Sequence, residues 1–308
     1  MSRLMNPIRY TGGDLDRADA LRKDPEWIAA RFADAAALFV PVWRDQPFAI
    51  PFVDRAPAAA AFHVFLGMRE EAPVFAADLS DLDEHEAIAA LGDVPAGAAF
   101  RDLRELSAAL DARDASVLAY ARGMLLWHRN HRFCGRCGSP TESRRGGHMR
   151  VCLDESCGRE HFPLISPAVI MLVSRRGEDG TRYCLLGRHG RLASGIWSTL
   201  AGFVELGESM EETVVREVFE ESGIRVASTR YLGSQPWPFP ASLMVGFRAE
   251  AASSEITIDP EELEDARWFT ADEVRAFGDF HDPNARYRLP RPDSIASFLV
   301  HSWLEEGD

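Results

Sequence analysis

A chain of 308 residues is long enough for two domains, and an apolar fraction of 46% supplies sizeable cores. A formal net charge of −14 argues against a protein whose main business is gripping a long nucleic acid backbone, and leaves brief handling of one RNA end open. No apolar run approaches a membrane span, the opening MSRLMNPIRYTGGDLDRADA has no apolar signal core, and five cysteines, four of them clustered, fit metal binding in a reducing compartment, so the expected location is cytoplasmic.

Residues 1–130 read as an α/β domain without a catalytic signature. Pro25–Ala36 reads as a short helix opened by its proline. Ala37–Val42 and Phe62–Gly67 read as strands, Arg101–Leu110 and Ala115–Asn130 as helices, and Pro57–Ala61 and Pro95–Ala99 as loops. His63, His85, His128 and His131 are scattered and read as surface or packed histidines, and Trp127 as packing.

Residues 131–163 form the second segment, in which Phe133–Phe162 changes character: FCGRCGSPTESRRGGHMRVCLDESCGREHF. The turn Cys134–Cys137 aims two sulfurs at one point, and Cys152 and Cys157 follow a hairpin-like run. That outlines a four-cysteine zinc ribbon around one structural zinc ion, with His161 in place of Cys152 as the alternative fourth ligand. Arg132, Arg136, Arg144, Arg145, Arg150 and Arg159 make the segment locally basic, either as a solvated face or as a contact for a polyanion. Cys184, in the apolar run Tyr183–Leu186, reads as a buried strand residue.

Residues 164–308 form the third segment. Ala168–Val173, Tyr183–Gly187, Arg225–Gly233 and Leu243–Glu250 read as strands, and Trp197–Phe203 leads into a glycine-bearing loop. Ser209 with Glu212 three residues on is a capping-box pattern, and Gly223 is a stop, so a helix is expected over about Met210–Ser222. Thr270 with Glu273 starts another helix by the same pattern, and Asp293 or Ser294 starts the last, through about Trp303. At about 100° per residue, Glu217, Glu220 and Glu221 share an arc of about 100°. Carboxylates so crowded repel one another unless a cation lies between them, and hard oxygen ligands suit Mg²⁺ or Mn²⁺. The alternative is a solvated acidic face. The stretch satisfies G-x5-E-x7-R-E-U-x-E-E-x-G-U (U apolar) at Gly202, Glu208, Arg216, Glu217, Val218, Glu220, Glu221, Gly223 and Ile224, and it resembles the Nudix box. That resemblance implies an α/β/α sandwich around a mixed sheet.

Ser234–Ser242 reads SQPWPFPAS. Three prolines stiffen it, and Trp237 and Phe239 offer flat apolar surfaces. One reading is a rigid loop with its aromatics tucked into the core; the other is a wall for a planar ligand, with Gln235 and Ser242 as polar contacts. Among Nudix enzymes the stretch resembles the signature of the NADH pyrophosphatases, whose order of N-terminal domain, zinc ribbon and Nudix domain is the same. The resemblance implies cleavage of the NAD(H) pyrophosphate to NMN(H) and AMP, NAD-cap removal from RNA 5′ ends in several members, a homodimer, and two or three catalytic Mg²⁺ or Mn²⁺ ions. It implies metal ligands at Glu217, Glu220, Glu221 and Glu262, and substrate contacts at Phe203, Phe162, Ser242 and Ala296. Glu221 or Glu220 is the candidate base, with Glu262 behind them, and Arg216 is expected to orient a box carboxylate such as Glu208. Two alternatives are a Nudix hydrolase for another nucleoside diphosphate, such as ADP-ribose, and a non-enzymatic nucleotide- or RNA-binding regulator.

Overall fold

The computed structural model describes residues 8–190 and 195–306, which form two compact units. The first holds Tyr10–Ile165 together with Trp237–Ala241; the second holds residues 8–9, Ser166–Pro236 and residues 242–306.

In the first unit, α1 (Pro25–Phe32) starts where the Asp24 carboxylate accepts from the Glu26 and Trp27 amides. It ends four residues before the expected Ala36, because the Asp34 carboxylate accepts the Ala36 amide at 3.0 Å and offers the backbone a turn instead. The strands β1 (Leu38–Trp43), β2 (Gln46–Pro47), β3 (Phe62–Arg69) and β4 (Ala72–Asp78) lie in the order β2-β1-β4-β3, with β1 and β4 parallel. After α2 (Glu84–Ala89) and α3 (Leu103–Ser107), α4 (Ala112–Asn130) covers one face of this sheet and packs Leu118, Ala121 and Leu125 against Val40, Val64 and Val74. On the other face Trp27, Ile28 and Phe32 of α1 meet Phe39, Phe65 and Phe75.

The ribbon strands β5 (Thr141–Arg144), β6 (Met149–Cys152) and β7 (Glu160–His161) are antiparallel in chain order. The turn between β5 and β6 sits directly on the N-terminal sheet, so the ribbon is part of the same unit. A Cβ on Gly147 would lie 2.7 Å from the Val64 side chain, which only glycine avoids. His128 Nε2 is 2.7 Å from the Gly147 carbonyl and His148 Nε2 is 2.8 Å from that of Phe65.

The second unit contains β8 (Ser166–Arg176), β9 (Arg182–Arg188), β10 (Leu200–Phe203), α5 (Met210–Ser222), β11 (Val226–Trp237), β12 (Ser242–Ala251), β13 (Asp265–Thr270), α6 (Ala271–Arg275) and α7 (Ile295–Glu305). Its mixed sheet runs β11-β12-β8-β9-β13, with β10 pairing β8. β8 alternates as a strand buried on both faces must. Val169, Met171 and Val173 meet Val214 and Val218 of α5, while Ile170 and Leu172 meet Leu299, Val300 and Trp303 of α7. Helix, sheet and helix form a sandwich, as expected. Cys184 is buried in β9, and Ser294 caps α7.

Candidate functional site

The loop and helix that carry the carboxylates are built by local chemistry. Ser209 Oγ accepts the Glu212 amide at 3.2 Å, and the Glu212 carboxylate accepts the Ser209 amide at 2.7 Å. Gly223 ends α5 in the left-handed region at φ 70°. Within this frame Arg216 is the hub. Its Nε donates to Glu208 Oε1 at 2.6 Å and its Nη2 to Glu208 Oε2 at 2.9 Å, and Nη2 also reaches the Phe203 carbonyl at 3.0 Å. Nη1 donates to both Glu217 and Glu220 at 2.9 Å. The Arg216 hydrogen bonds, aided by the Glu205 amide and Thr213, hold the Glu208 carboxyl down at about 2. Thr213, which the sequence reading passed over, donates to Glu208 Oε2 at 2.9 Å from inside the core.

Glu221 is 3% exposed. Its Oε1 accepts the Ala201 amide at 3.3 Å, while its Oε2 is buried without a partner. Burial, then the neighbouring Glu217 and Glu262 carboxylates, push the Glu221 carboxyl up to about 8. Burial also raises Glu217, against the pull of Arg216 and with Glu220 and Glu262 adding to the rise. Gly202 makes room for it: a Cβ there would lie 1.8 Å from the Glu217 carboxyl carbon. Glu220 is the outermost of the set, its side chain 58% exposed. An unpartnered buried carboxylate oxygen beside like charges is costly unless a cation joins them, so this hard donor set fits a divalent metal. The carboxylates are more widely spread than the thiols described next, with the Arg216 guanidinium between Glu217 and Glu220.

Cys134, Cys137, Cys152 and Cys157 bring their sulfurs within 4.8 Å of one another, the only such cluster of metal-ligating atoms among the described residues. The Cys134–Cys157 and Cys137–Cys152 sulfurs are 3.9 and 3.4 Å apart. Tetrahedral zinc with bonds of about 2.3 Å spaces its sulfurs by about 3.8 Å, so the cluster fits a closed, structural zinc site. His161 stands on β7, paired with Arg150, and is outside the cluster.

The proposed recognition residues fall into two groups. Phe203, 60% exposed, pairs with Ala168 of β8, which pairs in turn with Met244 of β12. Ser242, at the start of β12, stands two positions from Met244 and so on the same face of the sheet. That face is covered by α7, which carries the buried Ala296. Gln235 is corrected. It is fully buried, its Nε2 donates to the Arg9 and Asp293 carbonyls at 3.1 and 2.8 Å, and its Oε1 accepts the Ile295 amide at 2.8 Å. With its amide consumed in seating α7, it has no free face for a ligand. Trp237 and Phe239 are partly buried: they pack against the core of the first unit, where Phe239 lies edge-on to Tyr10 and Trp237. Phe162, just after β7, is 48% exposed and belongs to the first unit.

Of the six ribbon arginines, Arg150 is structural, with bonds to Thr141 and His128. Arg132 and Arg144 pair with Asp81 and Glu142.

Residues 165–289 match the NUDIX domain model, 129–162 the NADH pyrophosphatase zinc ribbon domain, and 22–127 the NADH pyrophosphatase-like rudimentary NUDIX domain. The NAD-capped RNA hydrolase NudC of Mycobacterium bovis (strain BCG / Pasteur 1173P2) is 40% identical over 303 residues, 94% of this chain and 92% of that one. The chain belongs to the Nudix family, in its NADH pyrophosphatase branch. A second NAD-capped RNA hydrolase NudC, from Stutzerimonas stutzeri (strain A1501), is 44% identical over 215 residues, 69% of this chain and 71% of that one. The NAD-capped RNA hydrolase NUDT12 of Homo sapiens is 42% identical over 201 residues, 63% of this chain and 43% of that one, so the chain spans less than half of its length.

Family membership also explains the first unit. Its sheet between α1 and α4 repeats the sandwich in reduced form, but α4 reads ARDASVLAYARGMLLWHRN and carries no set of glutamates. Asp114, in its first turn, is paired with Arg69 at 2.7 Å. This rudimentary Nudix domain therefore lacks the hard-oxygen donors that the second unit concentrates on α5.

Proposed function

We propose that this Nudix protein hydrolyses the pyrophosphate bond of NAD(H) to NMN(H) and AMP, and removes NAD caps from RNA 5′ ends with the same site. The observation that carries the reading is the buried, unpartnered Glu221 oxygen beside Glu217 and Glu262 on a chain similar to NudC along almost its whole length. Glu217, Glu220, Glu221 and Glu262 would hold Mg²⁺ or Mn²⁺, which when bound supplies charge neutralisation for the diphosphate and a more acidic attacking water.

The chain's own residues do the rest. Glu221, 3% exposed, is the candidate acceptor of the attacking water's proton, with Glu220 as the other candidate base. Arg216 fixes the carboxylates at one end of α5 and is itself fixed by Glu208. Phe203 offers an exposed ring to a base, with Ser242 and Ala296 on the same side of the sheet. The exposed Phe162 offers a second ring for stacking, and the homodimer is what the family resemblance implies. A cytoplasmic location suits ribbon cysteines that form no disulfide and are available to zinc.

The test is hydrolysis of NADH, NAD-capped RNA and ADP-ribose by one preparation with Mg²⁺ or Mn²⁺, with products identified by mass. Release of AMP and NMNH from NADH at a higher kcat/KM than from ADP-ribose is expected. Faster ADP-ribose turnover would move the assignment to another nucleoside diphosphate, and no turnover would leave a binding regulator.

A further inference from the structure

The segment Trp237–Ala241 joins β11 to β12, neighbours in the Nudix sheet, yet by its contacts it belongs to the N-terminal unit. One side chain of α4 binds its main chain. Arg122 Nε donates to the Asp45 carbonyl at 2.9 Å, and Nη1 donates to the carbonyls of Pro238 and, at 3.0 Å, of Pro240. Its Nη2 lies 3.8 Å from the Asp45 carboxylate. Three main-chain carbonyls from two segments thus converge on one guanidinium whose side chain is 11% exposed. The Arg104 guanidinium adds a second clasp, 3.7 Å above the Phe239 ring.

The loop needs outside donors for a reason written in its sequence. Pro236, Pro238 and Pro240 have no N–H, and the Phe239 amide is used on the Trp237 carbonyl at 2.8 Å, so the Pro238 and Pro240 carbonyls take their donors from Arg122. A fork of rigid donors can serve two carbonyls of one loop and a third beyond it; a lysine ammonium on its flexible stem cannot hold the same geometry. The carbonyl of Pro240 is two residues from Ser242, where β12 begins in the row next to Met244, Ala168 and Phe203. The Arg122 contact thus lies two residues from Ser242.

We propose that Arg122 is a positioning residue for the substrate site, acting through the loop whose chain continues into Ser242. The proposal rests on the reading above for the identity of the substrate. Arg122 touches no reacting atom, so it acts on binding and selectivity and leaves the chemical step alone.

The experiment uses the full chain as Arg122→Gln, Arg122→Lys and Arg104→Gln, with zinc content and circular dichroism as checks of folding. Hydrogen exchange of the peptide over residues 236–244 is measured beside kcat and KM for NADH and ADP-ribose. R122Q should raise exchange in that peptide and raise KM for NADH about tenfold, the size of one lost charge-assisted contact, with kcat changed less than about threefold. R122K should recover only part of the loss, and the NADH preference over ADP-ribose should narrow. Unchanged exchange in folded R122Q, or raised exchange with an unchanged KM, overturns the proposal; so does a loss confined to kcat. Should R122Q not fold, R104Q, on a half-exposed side chain, faces the same criteria at smaller amplitude. Absence of NADH turnover in the unaltered protein would sink the proposed function, while the exchange measurement would still decide whether Arg122 holds the loop.

Discussion

The Arg216 guanidinium meets Glu208 with both of its parallel N–H bonds, Nε to Oε1 at 2.6 Å and Nη2 to Oε2 at 2.9 Å, and turns its remaining nitrogen to Glu217 and Glu220. Glu208 thereby fixes the residue that fixes the carboxylates. Glu208→Gln keeps the shape and removes the charge, so it should cost about 10- to 100-fold in Mn²⁺ affinity or in kcat, as the loss of a group supporting metal ligands does. Titration of Mn²⁺ by electron paramagnetic resonance, alongside turnover, measures both. Wild-type values in each would show the clamp to be idle.

Glu221→Gln should lower kcat by about 10²- to 10⁴-fold, the range of a lost general base, while the protein stays folded. A pH effect on stability accompanies it. In the metal-free chain the folded Glu221 carboxyl sits near 8, above its ordinary value of 4.5. A raised carboxyl favours the protonated form, so its stabilising contribution is present below about 4.5 and is lost as pH rises toward 8. Without added divalent cation, E221Q should therefore melt higher than wild type at pH 8, with the gap closing at pH 5. An equal gap at both pH values would contradict the buried proton.

Local chemistry made the catalytic helix legible. Ser209, Glu212 and Gly223 act within a few residues of themselves, so the span Met210–Ser222 could be read from spacing alone. The same holds for Thr270 and Glu273 at α6. Where the partner is distant, the reading failed or stayed open. Gln235 reads as a polar contact until Arg9 and Asp293, far away in sequence, are seen to use its amide. Trp237 and Phe239 are apolar in either role, and only the core that receives them decides which one they play. β4 went unread although it is longer than β1, and it is defined by its pairing with β1 and β3, which the fold brings together. The position of Thr213 on α5 carries no signal in itself; its value comes from Glu208 arriving opposite.

The zinc site separates two readings of the ribbon. Cys152→Ser should release the ion, because the remaining three thiolates leave the tetrahedron open, and the melting temperature of the N-terminal unit should fall. His161→Ala should keep one zinc per chain. Native mass spectrometry of both variants reads the stoichiometry directly, and zinc retained in C152S but lost in H161A would reverse the ligand assignment.

Phe203 presents most of its ring to solvent from the edge of the Nudix sheet, an arrangement that stability alone does not favour. Phe203→Ala should raise KM for NADH by about 5- to 150-fold, equivalent to about 1–3 kcal/mol of base stacking, and leave the melting temperature nearly unchanged. An unchanged KM would remove Phe203 from the binding site.

The first unit should lose stability in mild acid through its histidines. Burial lowers His63, His128 and His148 each to about 4 from an ordinary 6.5. The unfolded chain takes up these protons first, so the stabilising contribution is intact above about 6.5 and is withdrawn as pH falls from 6.5 toward 4. His63 isolates the effect: it lies 4.9 Å from Phe32 and 5.9 Å from Phe39 between ring centroids, and its Nε2 is buried without a partner. His63→Phe keeps an aromatic ring in the cluster and deletes the titration. Melting curves at pH 7.5 and 5 should show a smaller drop for H63F than for wild type, and equal drops would mean that His63 takes up its proton as readily folded as unfolded.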